Sequence, residues 1–592
     1  MEKIKEEIAG ILEGAIKEYS KDIELKKEEI LKAIETPPSL EMGDYAFPCF
    51  SLSKKLKTPP HQIALELRRN IGTTSKIINS VETQGPYINF ILDKRIMASK
   101  LLKEIFNNKK EFGQPDNHSA SGKDKNKKIR TMVEFPSPNT NKPLHLGHLR
   151  NMSIGESISR ILEFTGEEVI RTNLNNDRGI HICQSMAAYK YYGKDRTPKK
   201  AGKKPDHFVG HYYVLFKKNA KKDGRLERDS HRMLQKYEQG ERETIKLWKK
   251  MNDWALKGFK ETYKKFGIEH DKQYFESDIY KRGKNIVQKG VEKDLFEKDK
   301  NGAAVVKFSE KDLGEKYLLR QDGTSLYITQ DLYLAKTKFD DYNLDRSIYV
   351  TGDEQKYHFK VLFKLLEMLE IANKERMEHL AYGMVELPEG KMKSREGKVV
   401  DADDLIQEVQ ELVKKELKSR PENKKISKRE LEKRSLKITL ASIKYLLLKV
   451  DINKRITFDP KKSIDFEGNT GSYLLYTYAR ASSILRKIKS SNKGAVVKHV
   501  DKPVKELDRK EKELVKKLSL FEKTTYKAYE QSNPSLVANY TFELAQVFND
   551  FYHSCPVMKS EKQDFRKRLV QGFKKVMYNS LGLLGIEPLE KM

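Results

Sequence analysis

The chain has 592 residues, and 116 lysines and arginines against 86 aspartates and glutamates give it a formal net charge of +30. At roughly 150 residues a domain, this length predicts several domains. No apolar run approaches the roughly 18 residues of a membrane helix, and three dispersed cysteines exclude a disulfide scaffold and a cysteine-rich zinc site. The Glu-rich N-terminus is unlike a signal or transit peptide, so we expect a cytoplasmic protein with no membrane partner.

The positive surplus favours a polyanionic partner, and nucleic acid is the first candidate. A lysine- and glutamate-rich surface that serves solubility or heat resistance would also account for part of the surplus. Composition does not separate these two interpretations, so a site has to be sought in the order of the residues.

Residues 1–112 predict a small α+β domain. Apolar residues at helical spacing predict a first amphipathic helix, which we expect to end at Pro37 and Pro38. A second pair of prolines, at 59–60, opens another helix, and the alternation in PYINFIL predicts a strand. The apolar face of the first helix consists of Ile4, Ile8, Ile11, Leu12 and Ile16.

Residues 113–128 contain almost no apolar side chain. Such a segment cannot bury enough surface to offset the loss of chain entropy, so it predicts a flexible linker.

Residues 129–405 predict a doubly wound parallel, Rossmann-like domain. The run IRTMVEF is typical of a strand, a helix spans about Gly147 to Phe164 and stops at Gly166, and EEVIRTNLN is typical of the next strand. This order of strand, helix and strand begins a parallel sheet. Further strands are expected at AAVVKF, LYIT, RSIYVTG and YGMVEL.

The remaining segments are helical in pattern. A lysine- and glutamate-rich stretch of about 185–300 is expected as an insertion into the α/β domain, and residues 406–592 predict an all-helical domain. The expected fold is therefore a multidomain α/β protein: a doubly wound catalytic domain with an insertion, a small N-terminal α+β domain and an all-α C-terminal domain.

The first motif with chemistry is His145-Leu146-Gly147-His148, placed where the first strand of the α/β domain turns into its first helix. Two histidines three residues apart project from one side of one turn. A helix N-terminus offers unpaired N–H groups to phosphate, and Gly147 lets a nucleotide approach closely. Lys142 adds positive charge upstream. Histidine pairs also serve packing or capping, but this setting favours a nucleotide site.

The second motif is KMKSREG, residues 391–397, which follows the predicted strand YGMVEL and a turn. A glycine-flanked loop with three cations can stabilise charge on phosphates in a transition state. An isolated basic hairpin of this kind is usually a solvated surface loop. Its position at the end of the α/β half, about 240 residues after the histidine pair, favours a phosphate role.

Together the two motifs resemble the signature motifs of class I aminoacyl-tRNA synthetases. The surrounding sequence is similar to the arginyl-tRNA synthetase family over nearly the whole chain, and least so at about 185–300. The segments that carry this resemblance are VETQGPYINF, VEFPSPNTNKPLHLGHLRNMSIGESISRILEFTGEEVIRTN, DGTSLYITQDL, GNTGSYLLYTYARASSIL and LGLLGIEPLEKM.

The second motif departs from the signature of most class I enzymes, which has a lysine at its fourth place. Here that place is Ser394, and Lys393 precedes it. Arginine enzymes often lack this lysine, and the resemblance implies that Lys142, ahead of the first motif, compensates. Either Lys142 or Lys393, or both, would then serve the phosphates.

The resemblance assigns residues to ATP and to catalysis. His145, His148, Lys142 and Lys391 are the expected catalytic residues, which would neutralise the developing pyrophosphate. ATP is expected as a substrate with Mg²⁺, and no tightly bound metal is predicted. The expected ATP-binding residues are Pro138, Asn139, His145, Gly147, His148, Lys391, Met392 and Lys393.

Selective binding of a guanidinium needs carboxylates placed for forked hydrogen bonds, and Glu134 and Asp331 are the candidates. By resemblance, Asn139 contacts the amino acid, and Tyr327, Asp331 and Gln355 line its pocket. Each residue also has a purely structural interpretation. Asp331 could begin a helix, Tyr327 could be a core aromatic, and Glu134 could pair with Arg130 across a strand face.

The region after residue 406 offers Tyr473, Tyr476 and Arg480 on one face of a predicted helix. Unpaired bases stack on such aromatics, although tyrosines at helical spacing are more often part of a core. By resemblance, the C-terminal domain reads the anticodon, and the N-terminal domain contacts the tRNA elbow near the D-loop.

The resemblance implies an enzyme that activates arginine with ATP to arginyl-adenylate and transfers it to the 3′-terminal ribose of tRNA(Arg). Whether activation requires bound tRNA stays open at this point. Alternatives are another class I enzyme, such as the class I lysyl type, an adenylyltransferase for a small molecule, and a non-catalytic tRNA-binding relative. We expect a monomer.

Overall fold

A computed structural model describes residues 2–20, 25–37, 42–72, 75–108, 111–114, 128–221, 224–324, 326–388, 400–421, 426–491 and 506–592. The chain divides into two compact units. The first consists of Met1–Phe112, Ala481–Glu522 and Glu543–Met577, and the second of Gly113–Arg480, Lys523–Phe542 and Tyr578–Met592. Among the described helices, none is long and apolar enough to cross a bilayer.

The N-terminal part of the first unit is a mixed α and β structure with a three-stranded antiparallel sheet of order β1-β3-β2. The predicted helix at the second proline pair and the predicted strand PYINFIL are both confirmed. The elements are α1 (Glu2–Tyr19), α2 (Lys27–Ala33), β1 (Tyr45–Pro48), α3 (Phe50–Leu56), α4 (Pro60–Asn70), β2 (Ile78–Gln84), β3 (Tyr87–Leu92) and α5 (Lys94–Asn108).

The prediction of one helix that runs to Pro37 is wrong, because α1 ends at Tyr19 and α2 is a separate helix. The start of α2 has its own signal, since the Glu29 carboxylate accepts a hydrogen bond from the Lys26 N–H (3.2 Å). The predicted apolar face of α1 is otherwise confirmed: Ile4, Ile8, Leu12 and Ile16 are buried, and Ile11 is half-buried.

The predicted parallel sheet is confirmed in the second unit. It has five parallel strands in the order β11-β10-β4-β5-β6. The helices and strands of this part of the chain are β4 (Arg130–Glu134), α6 (Leu146–Phe164), β5 (Glu168–Asn175), α7 (Ile180–Tyr192), α8 (Pro205–Ala220), α9 (Gly224–Glu238), α10 (Arg242–Phe266), β6 (Lys272–Phe275), α11 (Glu276–Ile279), α12 (Lys284–Glu292), β7 (Glu297–Lys298), β8 (Ala304–Lys307), β9 (Glu315–Tyr317), α13 (Tyr327–Tyr342), β10 (Arg346–Gly352), α14 (Lys356–Met368), β11 (Met377–Tyr382) and β12 (Val385–Glu386).

Four details of this domain differ from the sequence-based predictions. YGMVEL is not one strand: it holds the last residue of β11, a break at Gly383 and Met384, and β12, which belongs to another sheet. LYIT is not a strand: Tyr327 opens α13, where the Thr329 hydroxyl accepts a hydrogen bond from the Leu326 N–H (3.3 Å) and caps the helix. AAVVKF is a strand, but it lies in a separate antiparallel sheet of order β7-β8-β9. The segment of about 185–300 is mostly helical, yet it also supplies β6 to the main sheet.

The described residues after 400 are almost entirely helical, as predicted. The exception is a two-residue strand that pairs in parallel with β12. The elements are α15 (Ala402–Ser419), α16 (Lys428–Leu448), β13 (Ile456–Thr457), α17 (Pro460–Ser463), α18 (Gly471–Ser491), α19 (Arg509–Ser519), α20 (Phe521–Glu530), α21 (Ser535–Ser554) and α22 (Gln563–Leu583).

The first unit joins these C-terminal helices to the N-terminal structure. Gly572 on α22 faces α5 so closely that an added Cβ would lie 2.9 Å from Leu102. Buried Arg566 on α22 donates to the Glu511 carboxylate of α19 (2.7 Å), which is fully buried. Burying a charge is costly unless it is paired, so this ion pair fixes α22 against α19.

Candidate active site

The histidine pair forms the N-terminal turn of α6, directly after the loop that follows β4. The Gly147 N–H donates to Nδ1 of His145 (3.1 Å), and the His145 N–H donates to Nδ1 of His148 (3.0 Å). The ring centroids lie 3.8 Å apart. An added Cβ at Gly147 would lie 3.0 Å from Cε1 of His145, so a side chain there would displace that ring.

These hydrogen bonds determine which ring nitrogen carries the proton. Burial, with Lys142 nearby, lowers the pKa of His145 to about 3, and burial together with His145 and Lys142 lowers the pKa of His148 as well. Both rings are therefore neutral near pH 7. Because each Nδ1 accepts a backbone N–H, each ring bears its proton on Nε2. The pair can thus offer two N–H donors to a phosphate.

A cavity of about 440 Å³ opens beside this turn at the carboxyl ends of β4 and β10. We call it the larger cavity. Burial lowers the pKa of Lys142, which is among its lining residues. Of the predicted site residues, the larger cavity brings together Glu134, Asn139, Lys142, His145, His148, Asp331 and Gln355.

Two predicted residues support the larger cavity without being part of its lining. Pro138 is buried, and its carbonyl accepts a hydrogen bond from the Asn176 N–H (3.0 Å). Gly147 lies between the two histidines, as described above. Pro138 and Gly147 thus shape the backbone of the two turns that flank the cavity, and their side-chain positions do not line it.

Glu134, the last residue of β4, is buried and pairs with the ammonium of Lys338 on α13, which is itself fully buried. The alternative that Glu134 pairs with Arg130 is wrong, because Arg130 pairs with Glu168 (3.1 Å). The negative charge of Glu134 outweighs the effect of burial and raises the pKa of Lys338. Sequence analysis did not find Lys338, which lies 204 residues away.

A second, smaller cavity of about 290 Å³ adjoins the first, and the two share Asp331, Gln355 and His358 among their lining residues. Tyr327 lines only this smaller cavity and is 72% exposed, so it is not a core aromatic. Asp331 is the fifth residue of α13 and does not begin the helix. Its carboxylate lies 2.7 Å from Nε2 of His358, which orients it.

Glu276, which directly follows β6, is the other carboxylate of the smaller cavity. Burial raises its pKa to about 7, and the negative charges of Asp177 and Asp331 act in the same direction against a lowering by Arg178. The Arg178 guanidinium lies 4.0 Å away, too far for a short ion pair. The negative charge of Asp331 adds to the cost of ionising Glu276, and a bound cation beside Glu276 would offset that cost.

Neither Glu276 nor His358 was among the site residues predicted from the sequence. A signal existed for Glu276, because it ends a short strand-like run, KQYF, just as Glu134 ends its own strand. That run lies in the segment expected as an insertion, where no strand of the main sheet was sought. His358 carries no local pattern, since its role depends on the approach of α13 to α14.

Arg150 lies on α6, two residues after the second histidine, and is fully buried. In the described part of the chain its guanidinium forms no ion pair and is held by backbone carbonyls. Burial lowers its pKa to about 10, which leaves it charged. The accepting carbonyls are those of Gly383 (2.6 Å), Met384 (3.4 Å), Asp451 (3.4 Å), Ile452 (2.9 Å) and Lys454 (2.8 Å).

The second motif cannot be placed in this geometry. Lys391, Met392 and Lys393 fall within residues 389–399, which lie outside the described part of the chain, and most of the predicted linker, residues 115–127, does so as well. Their roles stay predictions.

The three predicted tRNA-binding residues lie on α18 in the second unit. The Arg480 guanidinium stacks over the Tyr476 ring at 4.8 Å, and Arg420 approaches the same ring at 5.7 Å. Tyr473 contacts the ring of Phe542 at 5.5 Å between centroids. Tyr476 and Arg480 are thus brought together, whereas Tyr473 packs against a neighbouring helix.

Comparison with known families identifies three stretches of the chain. The catalytic domain model of the class I (R) tRNA synthetases matches residues 115–459. The DALR anticodon binding domain matches residues 474–592, and the arginyl tRNA synthetase N terminal domain matches residues 2–92. The first of these alone covers more than half of the chain.

Relatives and solved structures agree with these matches. The chain is 43% identical over 567 residues to the arginine–tRNA ligase of Treponema denticola, covering 94% of each chain, and 40% identical over 600 residues to that of Borrelia hermsii, covering all of both. Its fold is similar to arginyl-tRNA synthetase of Thermus thermophilus (TM-score 0.76, 24% identity, 99% of both chains) and of Plasmodium falciparum (TM-score 0.78, 22% identity, 100% and 99%). The resemblance inferred from sequence is thereby confirmed, and the chain belongs to the arginyl-tRNA synthetase family of class I enzymes.

Proposed function

We propose that the protein is an arginine–tRNA ligase that makes arginyl-adenylate from arginine and ATP and passes the arginyl group to the 3′-terminal ribose of tRNA(Arg). The observation that carries the proposal is the pair of adjoining cavities at the carboxyl ends of the parallel strands. The larger cavity has neutral histidines at a helix N-terminus, and the smaller one has two carboxylates. Ligands of doubly wound sheets bind at this edge.

Arginine spans the two cavities in this proposal. Its guanidinium occupies the smaller cavity, where Glu276 and Asp331 accept forked hydrogen bonds. Tyr327, beside them, covers the apolar stem. The α-amino and α-carboxylate groups reach the larger cavity, near Glu134 and Asn139. This differs from the expectation that Glu134 binds the guanidinium, because Glu134 lines only the larger cavity and is already paired with Lys338.

ATP lies in the larger cavity with its phosphates at the N-terminus of α6. The Nε2–H groups of His145 and His148 donate to phosphate oxygens, and Lys142 contributes positive charge. This revises the expectation that the histidines neutralise charge, since both rings are neutral and act through oriented N–H dipoles. Lys391 and Lys393 remain predicted partners, and Mg²⁺ enters with ATP as part of that substrate.

Activation proceeds by in-line attack of the arginine carboxylate on the α-phosphate of ATP, and pyrophosphate leaves. The ribose hydroxyl of the tRNA, the 2′-hydroxyl by class I behaviour, then attacks the arginyl carbonyl and releases AMP. No covalent intermediate with the protein is needed. The rate enhancement comes from alignment of the reacting groups and from stabilisation of charge on the leaving phosphates.

Among the alternatives, the class I lysyl type is the nearest. A lysine ammonium is a single point charge, whereas two carboxylates around one cavity suit a planar fork of donors. The neutral histidine pair, whose Nε2–H groups have no hydrogen-bond partner among the described residues, supports an active enzyme over a non-catalytic tRNA-binding relative.

Exchange of pyrophosphate into ATP, measured with tRNA present for each of the twenty amino acids, tests the proposed function. We expect exchange with arginine and background rates with the other nineteen, lysine included. A clear signal with lysine and none with arginine would replace the proposal with the lysyl alternative. The absence of exchange with every amino acid would favour the non-catalytic alternative.

Substituting Tyr476 with alanine tests the proposed tRNA surface. Loss of one base-stacking ring costs about 1–3 kcal/mol, so we expect tRNA(Arg) affinity to fall roughly ten- to a hundred-fold. Affinities for ATP and arginine should not change, and Tyr476→Phe should bind tRNA like the wild type. Tyr317→Ala, a half-exposed tyrosine on β9, serves as the matched control. Unchanged tRNA affinity in Tyr476→Ala would make Tyr476 a packing residue.

We also propose that the protein acts in the cytoplasm and as a monomer. In support of a reducing compartment, Cys49, Cys183 and Cys555 are all free and buried. Burial raises the pKa of Cys49 and Cys183 to about 12, so these thiols are unreactive near pH 7. Sedimentation of the purified protein with and without tRNA would establish the assembly.

A further inference from the structure

A charged cluster lies next to the catalytic turn, where α8 begins and α15 begins. Asp403 is its centre: its carboxylate accepts from the Lys204 ammonium (2.7 Å) and from the Thr262 hydroxyl (2.9 Å). Nε2 of His207 lies 3.6 Å from the same carboxylate and 3.3 Å from that of Asp401. The carboxylate of Asp206, which is fully buried, also accepts from Lys204 (3.0 Å).

The cluster is not a metal site, although its histidine and carboxylates approach each other within ligand distances. The Lys204 ammonium already bridges Asp206 and Asp403, the position a cation would take. Asp401 and Asp403 raise the pKa of His207 to about 10, so its ring is a second cation within the cluster near pH 7. The arrangement is an ion-pair network, and its cations belong to the protein.

The network reaches the catalytic turn through the backbone. Asp401 forms an antiparallel bridge with His145. The Leu146 N–H donates to the Val400 carbonyl (3.0 Å), and the Ala402 N–H donates to the Leu144 carbonyl (2.9 Å). The residues on either side of the first catalytic histidine are therefore held by residues 400–402.

The side chain of Asp401 connects the ion-pair network to the backbone bridge beside the catalytic turn. One of its oxygens caps α15 by accepting from the Asp403 N–H (2.8 Å) and the Asp404 N–H (3.3 Å). The same oxygen is the one that lies 3.3 Å from His207. The position of His207 is in turn set by α8, which belongs to the segment between β5 and β6. A shift of α8 would thus be transmitted to the backbone beside His145.

We propose that His207, Lys204 and Asp403 are positioning residues for the activation step, which hold residues 400–402 against the catalytic turn and so keep Nε2 of His145 directed at the ATP phosphates. The proposal rests on the proposed function. Misplacement of a reacting group by about 1 Å can cost a hundred-fold in rate, so a network one step removed from the histidine can affect turnover strongly.

His207→Gln tests the proposal, because it removes the positive charge and keeps a side chain of similar length. In arginine-dependent pyrophosphate exchange with tRNA present, we expect kcat to fall roughly ten- to a hundred-fold. The KM for arginine and the affinity for tRNA should stay within two-fold of wild type, as order-of-magnitude limits for distant sites. His207→Lys, which restores the cation, should recover most of kcat. His231→Gln is the matched control: this histidine lies in the same inserted segment, pairs with Glu227 at 3.9 Å and is exposed.

Transfer of arginine from synthetic arginyl-adenylate to tRNA separates positioning from loss of structure. Pyrophosphate has already left in that step, so His207→Gln should transfer at close to the wild-type rate. Asp401→Asn is a milder second variant, because asparagine keeps the helix cap but loses the charge that faces His207. Asp401→Asn should also lower the kcat of activation without lowering the rate of transfer, but by a smaller factor than His207→Gln.

The proposal is overturned if His207→Gln and Asp401→Asn both exchange at the wild-type rate. It is also overturned if activation, transfer and tRNA affinity all fall in parallel, because that pattern indicates a general loss of structure. Failure of the wild-type protein itself to exchange with arginine would instead reject the proposed function, so the two results are distinguishable.

Discussion

Replacement of His148 with alanine should lower the kcat of arginine activation by roughly 10²–10³-fold, the range for loss of one preorganised donor to a developing oxyanion. The KM for arginine should stay near its wild-type value, because the proposed guanidinium site is in the smaller cavity and His148 lines the larger one. Pyrophosphate exchange with tRNA present measures both constants.

Two variants sharpen this test. His148→Gln places an amide N–H near the position of Nε2, so it should recover part of the lost rate. His61→Ala changes an exposed histidine of α4 and should behave as wild type.

Because the pKa of His148 lies well below its usual value, the pH profile of wild-type activation should show no acidic limb near pH 6.5 from this ring. Wild-type turnover by His148→Ala would exclude the catalytic role.

Glu276→Gln should lower kcat/KM for arginine by roughly 10²–10³-fold at pH 8, since loss of one partner of a buried charge pair costs about 2–5 kcal/mol. Glu276 is 8% exposed and, in the described part of the chain, has no short ion pair of its own to compensate. The effect should lie mainly in the KM for arginine, with the KM for ATP little changed. Glu292→Gln, an exposed glutamate at the end of α12, is the matched control.

The same residue should give the enzyme a pH dependence. The raised pKa of Glu276, about 7, means that the carboxylate is ionised above pH 7 and protonated below it. Because kcat/KM reports the free enzyme, its value for arginine should fall as pH decreases through about 7. Glu276→Gln should abolish this limb while the profile of His61→Ala keeps it. A limb that persists in Glu276→Gln would assign it to another group.

The parts of this molecule that follow local rules could be predicted from its sequence. The strand at 130–134, the helix with the histidine pair and the next strand each have a clear local pattern. The helix stops just before Gly166, whose φ of +100° few other residues tolerate. The chemistry of the turn likewise follows from its place at a helix N-terminus.

The remaining parts depend on contacts between distant segments. β6 is a four-residue edge strand within the segment expected as a helical insertion, so its short strand-like run was not assigned to the main sheet, and Glu276 was missed with it. LYIT has strand-like residue types, but the helix that continues through residue 342 overrides them. For Glu134, the structural alternative named only Arg130 of the same strand, because nothing local indicates a partner lysine on α13.

Arg150 places one positive charge inside the protein, near the larger cavity. The net charge of +30 is spread largely over exposed lysines, where salt screens each one within about 8–10 Å. Arg150 is an interior cation without a carboxylate partner in the described chain, and its guanidinium lies 5.8 Å from the ring of Tyr382, which lines the larger cavity. Its charge therefore lies behind the wall of the cavity proposed for ATP, inside the protein, where ionic strength has little effect. We infer that ATP is held by an electrostatic potential that salt weakens far less than it weakens the attraction between the protein surface and tRNA.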